Sequence, residues 1–229
     1  MRSGELYFNY QFNSPSTFEG VRRYINSITL NIYFLDFSSE ASEELEKIGE
    51  IIFDRVFAGD IIDDGTFRVF DIFDEDCEFY ASDGFRITNG YHYHESLTNR
   101  WKELGWHDKN FIYIYEYWLK PEFRGQKIIL KAILDSINQF RHGIDLIVIL
   151  IRPLLHSEIL RHPEIFNERE KYPIRGYNKT LSKQKITNHL GEVGFEKIKG
   201  FTDLMFLFPE DLDNQVYEKF NLTDRIKID

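Results

Sequence analysis

Apolar and polar residues first alternate regularly at Ile28, where Ile28, Leu30, Ile32 and Phe34 interleave with Thr29, Asn31 and Tyr33. A two-residue period marks a half-buried strand, predicted over Ile28–Phe37. Residues 1–27 before it carry turn formers at Asn13, Ser14, Pro15 and Gly20 and are expected to form an arm over the surface. Ser38 or Ser39 is placed to cap a short acidic helix through Lys47, because a helix N-terminus favours negative side chains. A second strand follows over Ile48–Phe57. Phe67, Phe70 and Phe73 at helical spacing favour a helix over Thr66–Asp76, although Phe67, Val69 and Asp71 also alternate as a strand would. Glu95–Leu104 reads as a further helix, with Leu97 and Trp101 facing the core and Gly105 closing it.

The strongest pattern runs from Phe111 to Arg152. Phe111–Leu119 is rich in aromatic and β-branched residues and stops before Pro121. Gly125 or Gln126 then opens a helix whose Leu130, Ile133, Ile137 and Phe140 recur at three- and four-residue steps and which ends at Arg141, His142 and Gly143. Leu146–Ile151 is apolar on both faces, as suits a strand covered on both sides of a parallel sheet, so the unit is a right-handed βαβ crossover. Pro153–Thr180 is polar and long, and connections of that length are usually functional or mobile. Ser182 caps a helix carrying Ile186, Leu190 and Val193 and closed by Gly194. Phe195–Lys199 and Asp203–Phe208 read as an antiparallel hairpin, and a short helix is expected near Asn214–Phe220. With no internal repeat and no linker, the chain reads as a single domain over residues 1–229.

Composition narrows the classes of function. A formal charge of -10 over 229 residues argues against a nucleic-acid binder, which needs clustered Lys and Arg, and better suits a cationic or amine-bearing partner. The longest apolar run, Leu146–Ile151, is far below the roughly 20 residues of a membrane span, and the opening residues lack an apolar signal core, so a cytoplasmic location is expected. Cys77 stands alone, which excludes an intrachain disulfide and a thiolate zinc cluster.

Two stretches carry chemistry: YWLKPEFRGQK at Tyr117–Lys127 and LGEVGFEK at Leu190–Lys197. A tight basic turn feeding a helix can cradle a pyrophosphate, because the first helical N–H groups and the positive dipole end both favour an anion. With the order of elements around them, these stretches resemble the GNAT family of acyl-CoA-dependent N-acyltransferases. The resemblance implies an α/β (α+β) fold with a central mixed, twisted sheet flanked by helices, and a core of about residues 28–208. It also implies acetyl-CoA as acyl donor, no metal, and a primary amine of a small molecule or peptide as acceptor; a homodimer is a further expectation.

By the resemblance, the backbone of Trp118 and Leu119 pairs with the pantetheine arm. Arg124, Gly125, Gln126, Lys127, Ile128 and Ile129 surround the diphosphate, and Glu116 is the general base. The family's turn has Arg or Gln, two residues, Gly, one residue, then Gly or Ala; here Lys127 and Ile129 stand at the last two of those positions. The family's usual general acid, a Tyr four residues before the Gly of a Gly-Phe pair, is Leu190 here. Tyr177 and His189 are the substitutes the sequence offers. These departures support an alternative: a non-catalytic protein of the same fold that binds a ligand or a protein partner.

Other constellations are weaker. His92, His94 and Glu95 lack a third ligand with metal-site spacing. Asp74, Asp76 and Glu78 open like a calcium loop, but Phe79 stands where such a loop needs Gly.

Overall fold

The computed structural model describes residues 2–13, 23–37, 45–64, 87–88, 93–102, 110–151, 179–212, 214–220 and 226–228. Seven strands form one sheet: β1 (Arg2–Asn13), β2 (Ile25–Asp36), β3 (Leu45–Val56), β4 (Phe111–Leu119), β5 (Leu146–Leu150), β6 (Leu204–Leu207) and β7 (Ile226–Ile228). Their order across the sheet is β6-β5-β4-β3-β2-β1-β7. Every neighbouring pair is antiparallel except β4 and β5, which run parallel. The described helices are α1 (Ala58–Asp64), α2 (Glu95–Arg100), α3 (Ile128–Phe140), α4 (Lys179–Gly191) and α5 (Asn214–Lys219). The class is therefore mixed α/β, as expected.

Each face of the sheet has its own core, and the period-two alternation of the strands assigns residues to them. On one face Leu30, Ile32, Ile51, Phe53, Ile147 and Ile149 pack with Leu130, Ile133 and Ile137 of α3 and Leu190 of α4. On the other, Phe111, Tyr113, Leu146 and Val148 pack with Ile61 of α1 and Leu97 of α2. All five residues of β5 are buried, which explains its unbroken apolar sequence. Each fully buried Ile or Leu here contributes roughly 1.5–3 kcal/mol.

The N-terminal residues are not a surface arm. They form β1, which pairs with β2 from Gly4↔Asp36 to Asn13↔Ser27. Leu6, Phe8 and Tyr10 turn toward the α3-side core, while Tyr7 and Phe12 are exposed, so aromatic residues on both faces blur the alternation that marks a strand. A Cβ on Gly4 would lie 1.9 Å from the Leu35 carbonyl oxygen, so glycine sets the close approach of β1 to β2. Tyr10 Oη donates to Asp135 Oδ2 of α3 at 2.6 Å, and its ring meets Phe140 edge-on at 5.1 Å. Burial makes both partners weaker acids: the Tyr10 phenol is pushed far above its ordinary range, and the Asp135 carboxyl above the usual carboxylate range.

Other boundaries also shift. Leu45–Lys47, expected to end a helix, belong to β3, because pairing with β2 extends to Leu35↔Leu45; residues 38–44 lie outside the described residues. So does the helix expected over Thr66–Asp76. The helix α2 ends at Arg100, with Trp101 capping it in extended backbone and donating its indole N–H to Asp211 at 3.0 Å. Lys179, ahead of the expected Ser182, starts α4, and most of the long connection before it is outside the described residues. The expected C-terminal hairpin reduces to one bridge, Glu196↔Phe206, because β6 pairs with β5 instead.

Candidate functional site

Among the described residues, the sheet opens between β4 and β5. The two strands pair from Phe111↔Leu146 to Ile114↔Ile149, and the described residues that follow, as far as Ile151 on the β5 side, show no further pairing between them. On its other edge β4 stays paired with β3 as far as Leu119↔Gly49. The opening starts at a bulge: Ile114 pairs with Phe53 and Glu116 with Ile52, so Tyr115 is the extra residue. A bulge bends its strand and resets the side-chain alternation. Ile112 and Ile114 face α3, and after the bulge so do Tyr117 and Leu119. Glu116 and Trp118 consequently face away from α3, each beside its cross-strand partner on that face, Ile52 and Glu50.

Beyond β4, Pro121–Phe123 form a single 3₁₀ turn anchored by Phe123, which is fully buried and meets Phe34 edge-on at 5.3 Å. Arg124 Nε donates to the Leu119 carbonyl at 2.9 Å, tying the guanidinium to the turn. Gly125 has φ +87°, and Lys127, the N-cap of α3, has φ +59°. Lys127 is the one non-glycine residue in left-handed backbone among those described. This gives the family's glycine preference at that position a physical basis, since left-handed backbone costs a residue with Cβ roughly 1–2 kcal/mol. The first bond of the helix runs from the Lys131 N–H to the Lys127 carbonyl at 3.0 Å, so the amides of Ile128, Ile129 and Leu130 have no acceptor within the helix.

Between this turn, the end of β4 and α4 lies a cleft of about 130 Å³, room for a narrow chain of atoms. Its mouth is basic, with Arg124, Lys127 and His189, and its walls are apolar, with Leu119, Ile129, Ile133, Ile186 and Leu190. A mouth that suits phosphates and walls that suit an uncharged chain match the two ends of an acyl-CoA. Ile129 is a wall residue, half-buried against the α3-side core, and Ile128 is wholly in the core.

An acidic side chain sits at the mouth. Glu192, just past α4, accepts from Lys127 Nζ at 2.5 Å and lies 3.1 Å from His189 Nδ1, with Lys219 Nζ 3.9 Å away. The Lys127 bond, helped by His189, holds its carboxyl below the usual glutamate range. Glu192 thus pairs with the Lys127 cation at the mouth of the cleft. The sequence offered no sign of it, because only the packing of α3 against α4 brings the residues together.

The predicted residues divide into three groups. Arg124, Gly125, Lys127, Ile128, Ile129, Leu119 and His189 gather around the cleft. Gln126 lies in the same turn with its Oε1 buried and without a hydrogen-bond partner. Glu116 and Trp118 are buried in β4 on the opposite face, and Tyr177 lies outside the described residues. Leu190 is buried in the cleft wall, and Tyr117, not singled out in the sequence, lines the same cleft. His94 caps α2, its Nδ1 accepting from the Ser96 N–H at 3.2 Å, while His92 lies outside the described residues. No group of three His, Cys, Asp or Glu able to hold a metal ion occurs among the described residues. No described helix is long and apolar enough to cross a membrane.

A mixed sheet with one parallel pair beside a bulged strand, followed by a basic turn into a helix, agrees with the α/β arrangement expected from the sequence resemblance. No family model and no curated protein matches the chain. Among solved structures, it is similar to Arabidopsis thaliana NAA60 in complex with a bisubstrate analogue, at 14% identity and a TM-score of 0.34, over 81% of this chain and 76% of that one. It is also similar to a mutant of the toxin AtaT bound to the C-terminus of the antitoxin AtaR and acetyl-CoA, at 6% identity and a TM-score of 0.36, over 93% and 98% of the two chains.

Proposed function

We propose that this chain is an acyl-CoA-dependent N-acyltransferase that moves an acetyl group from acetyl-CoA to a primary amine of a small molecule or peptide. The observation that carries this reading is the parting of β4 from β5 after Ile114 and Ile149, next to a cleft with a basic mouth and apolar walls. The amides of Ile128, Ile129 and Leu130 with Lys127 would hold the diphosphate at the α3 N-terminus. The end of β4 at Trp118 and Leu119 would flank the pantetheine. Glu116, on the other face of the same strand, would take the proton of the attacking amine, whose nitrogen then adds to the thioester carbonyl.

Binding is tested by thermal shift with acetyl-CoA, CoA and ATP. A ligand at a hundred times its Kd stabilises by about 2.7 kcal/mol, so a clear upward shift with acetyl-CoA is expected, and a flat response at millimolar concentration overturns the reading. Thiol release with a panel of amines then tests transfer. A second reading, a binder without transfer, is favoured by Leu190, which puts an alkyl group in the cleft wall where the family's acid would stand. Binding of acetyl-CoA with no thiol release for any amine would support it.

A further inference from the structure

Tyr117 is buried on the α3 side of β4, two residues beyond the bulge. Its phenol oxygen reaches across the opening to the Leu150 carbonyl, 3.4 Å away at the end of β5, so the hydroxyl spans the gap where the strands no longer pair. Among the described residues lining the cleft, Tyr117 carries the only hydroxyl. The other proton donors, Arg124, Lys127 and His189, stand at the basic mouth.

Resting on the acyl-transfer reading, we propose that Tyr117 is the general acid that protonates the departing thiolate. A thiol with a pKa near 8.5 can leave as an anion in water, but between walls such as Leu119, Ile133 and Leu190 the anion loses its hydration and needs a proton at once. In the step, the acceptor nitrogen bonds to the acetyl carbon, the C–S bond breaks with its electron pair going to sulfur, and the Tyr117 hydroxyl proton passes to that sulfur. The phenolate regains a proton from solvent, which in turn receives the one Glu116 took from the amine. Leu190 then leaves no gap in the chemistry, because the hydroxyl comes from β4 and not from α4.

The test is steady-state kinetics of Tyr117→Phe with acetyl-CoA and whichever amine the native chain accepts. The expected result is a kcat about 10²-fold lower, KM for acetyl-CoA within about threefold, an unchanged acetyl-CoA thermal shift, and loss of the alkaline fall in kcat expected of the native chain. A merely structural role would instead lower thermal stability and leave the pH profile in place. Tyr117→Phe combined with Leu190→Tyr is expected to regain at least tenfold of the lost rate, since it returns a hydroxyl to the cleft from α4. Where Tyr117→Phe fails to fold, Tyr117→3-fluorotyrosine, which keeps the hydroxyl and makes it more acidic, decides: an alkaline fall in kcat displaced to lower pH supports the assignment, and an unmoved profile overturns it. A Tyr117→Phe rate within threefold of the native one overturns the assignment of Tyr117 alone, whereas binding without turnover by the native chain overturns the acyl-transfer reading and the assignment with it.

Discussion

The two halves of β4 have similar aromatic and apolar sequences and different tasks. Phe111–Ile114 is paired on both edges, and its four side chains alternate into the two cores, Ile112 and Ile114 toward α3 and Phe111 and Tyr113 toward α1 and α2. Glu116–Leu119 is paired with β3 but, among the described residues, not with β5, and its α3-side residues line a cleft. One extra residue, Tyr115, separates them. The first half holds the sheet together, and the second half keeps an edge open for another chain of atoms.

The contrast predicts where mutations should act. Ile114→Ala in the closed half should have the largest effect on stability, about 3 kcal/mol by urea denaturation, because it empties a fully buried site. Loss of less than 1 kcal/mol would mean that this half is not the structural one. In the open half, Glu116→Gln should lower kcat about 10²-fold, near 2.7 kcal/mol of barrier, while the acetyl-CoA thermal shift persists. An unchanged rate would remove Glu116 from the chemistry.

Smaller effects sharpen the comparison at the turn that follows the open half. Lys127→Gly should raise stability by about 1 kcal/mol by relieving left-handed backbone, yet weaken acetyl-CoA binding several-fold by removing the cation. If binding tightens instead, the bare glycine turn is the better cradle and Lys127 is no part of it. Glu192→Gln should act the other way, tightening acetyl-CoA binding a few-fold as Lys127 is released to the phosphates, with a steeper dependence on salt. Calorimetric titration at two salt concentrations measures both.

The smallest expected effect lies far from the cleft. Asp135 has a carboxyl pKa raised by burial, so the folded chain binds its proton more tightly than the unfolded chain. Its ionisation therefore costs stability as pH rises from the unfolded carboxylate value through the higher folded one, and the cost remains at neutral pH. Asp135→Asn keeps an acceptor for the Tyr10 hydroxyl and removes that cost. It should leave stability at pH 7 equal or up to about 1 kcal/mol higher and flatten its fall as pH rises above the usual carboxylate range, as thermal melts across pH would show.

Where local pattern and burial agree, the residues announce the structure. Phe111–Leu119 is a strand at its predicted ends, Leu146 opens β5 as expected, and Leu130, Ile133 and Ile137 face the core from α3 at the predicted spacing. The basic turn from Pro121 to Lys127 was legible too, because proline, glycine and the start of an apolar helical stripe punctuate it. By contrast, β1 was hidden, since Tyr7 on its exposed face interrupts the alternation, and pairing with β2 and β7 places it in the sheet.

The bulge at Tyr115 has no residue signature, and the partner strand β3 fixes it through register alone. That single insertion decides that Glu116 faces away from the cleft and Tyr117 faces into it. Likewise, the Lys127–Glu192 pair joins residues 65 apart that meet only because α3 and α4 lie on one face of the sheet. Hydrophobic period and turn chemistry are local, so the chain carries them openly. Register, strand parting and contacts between helices depend on which elements become neighbours, and only the folded sheet settles that.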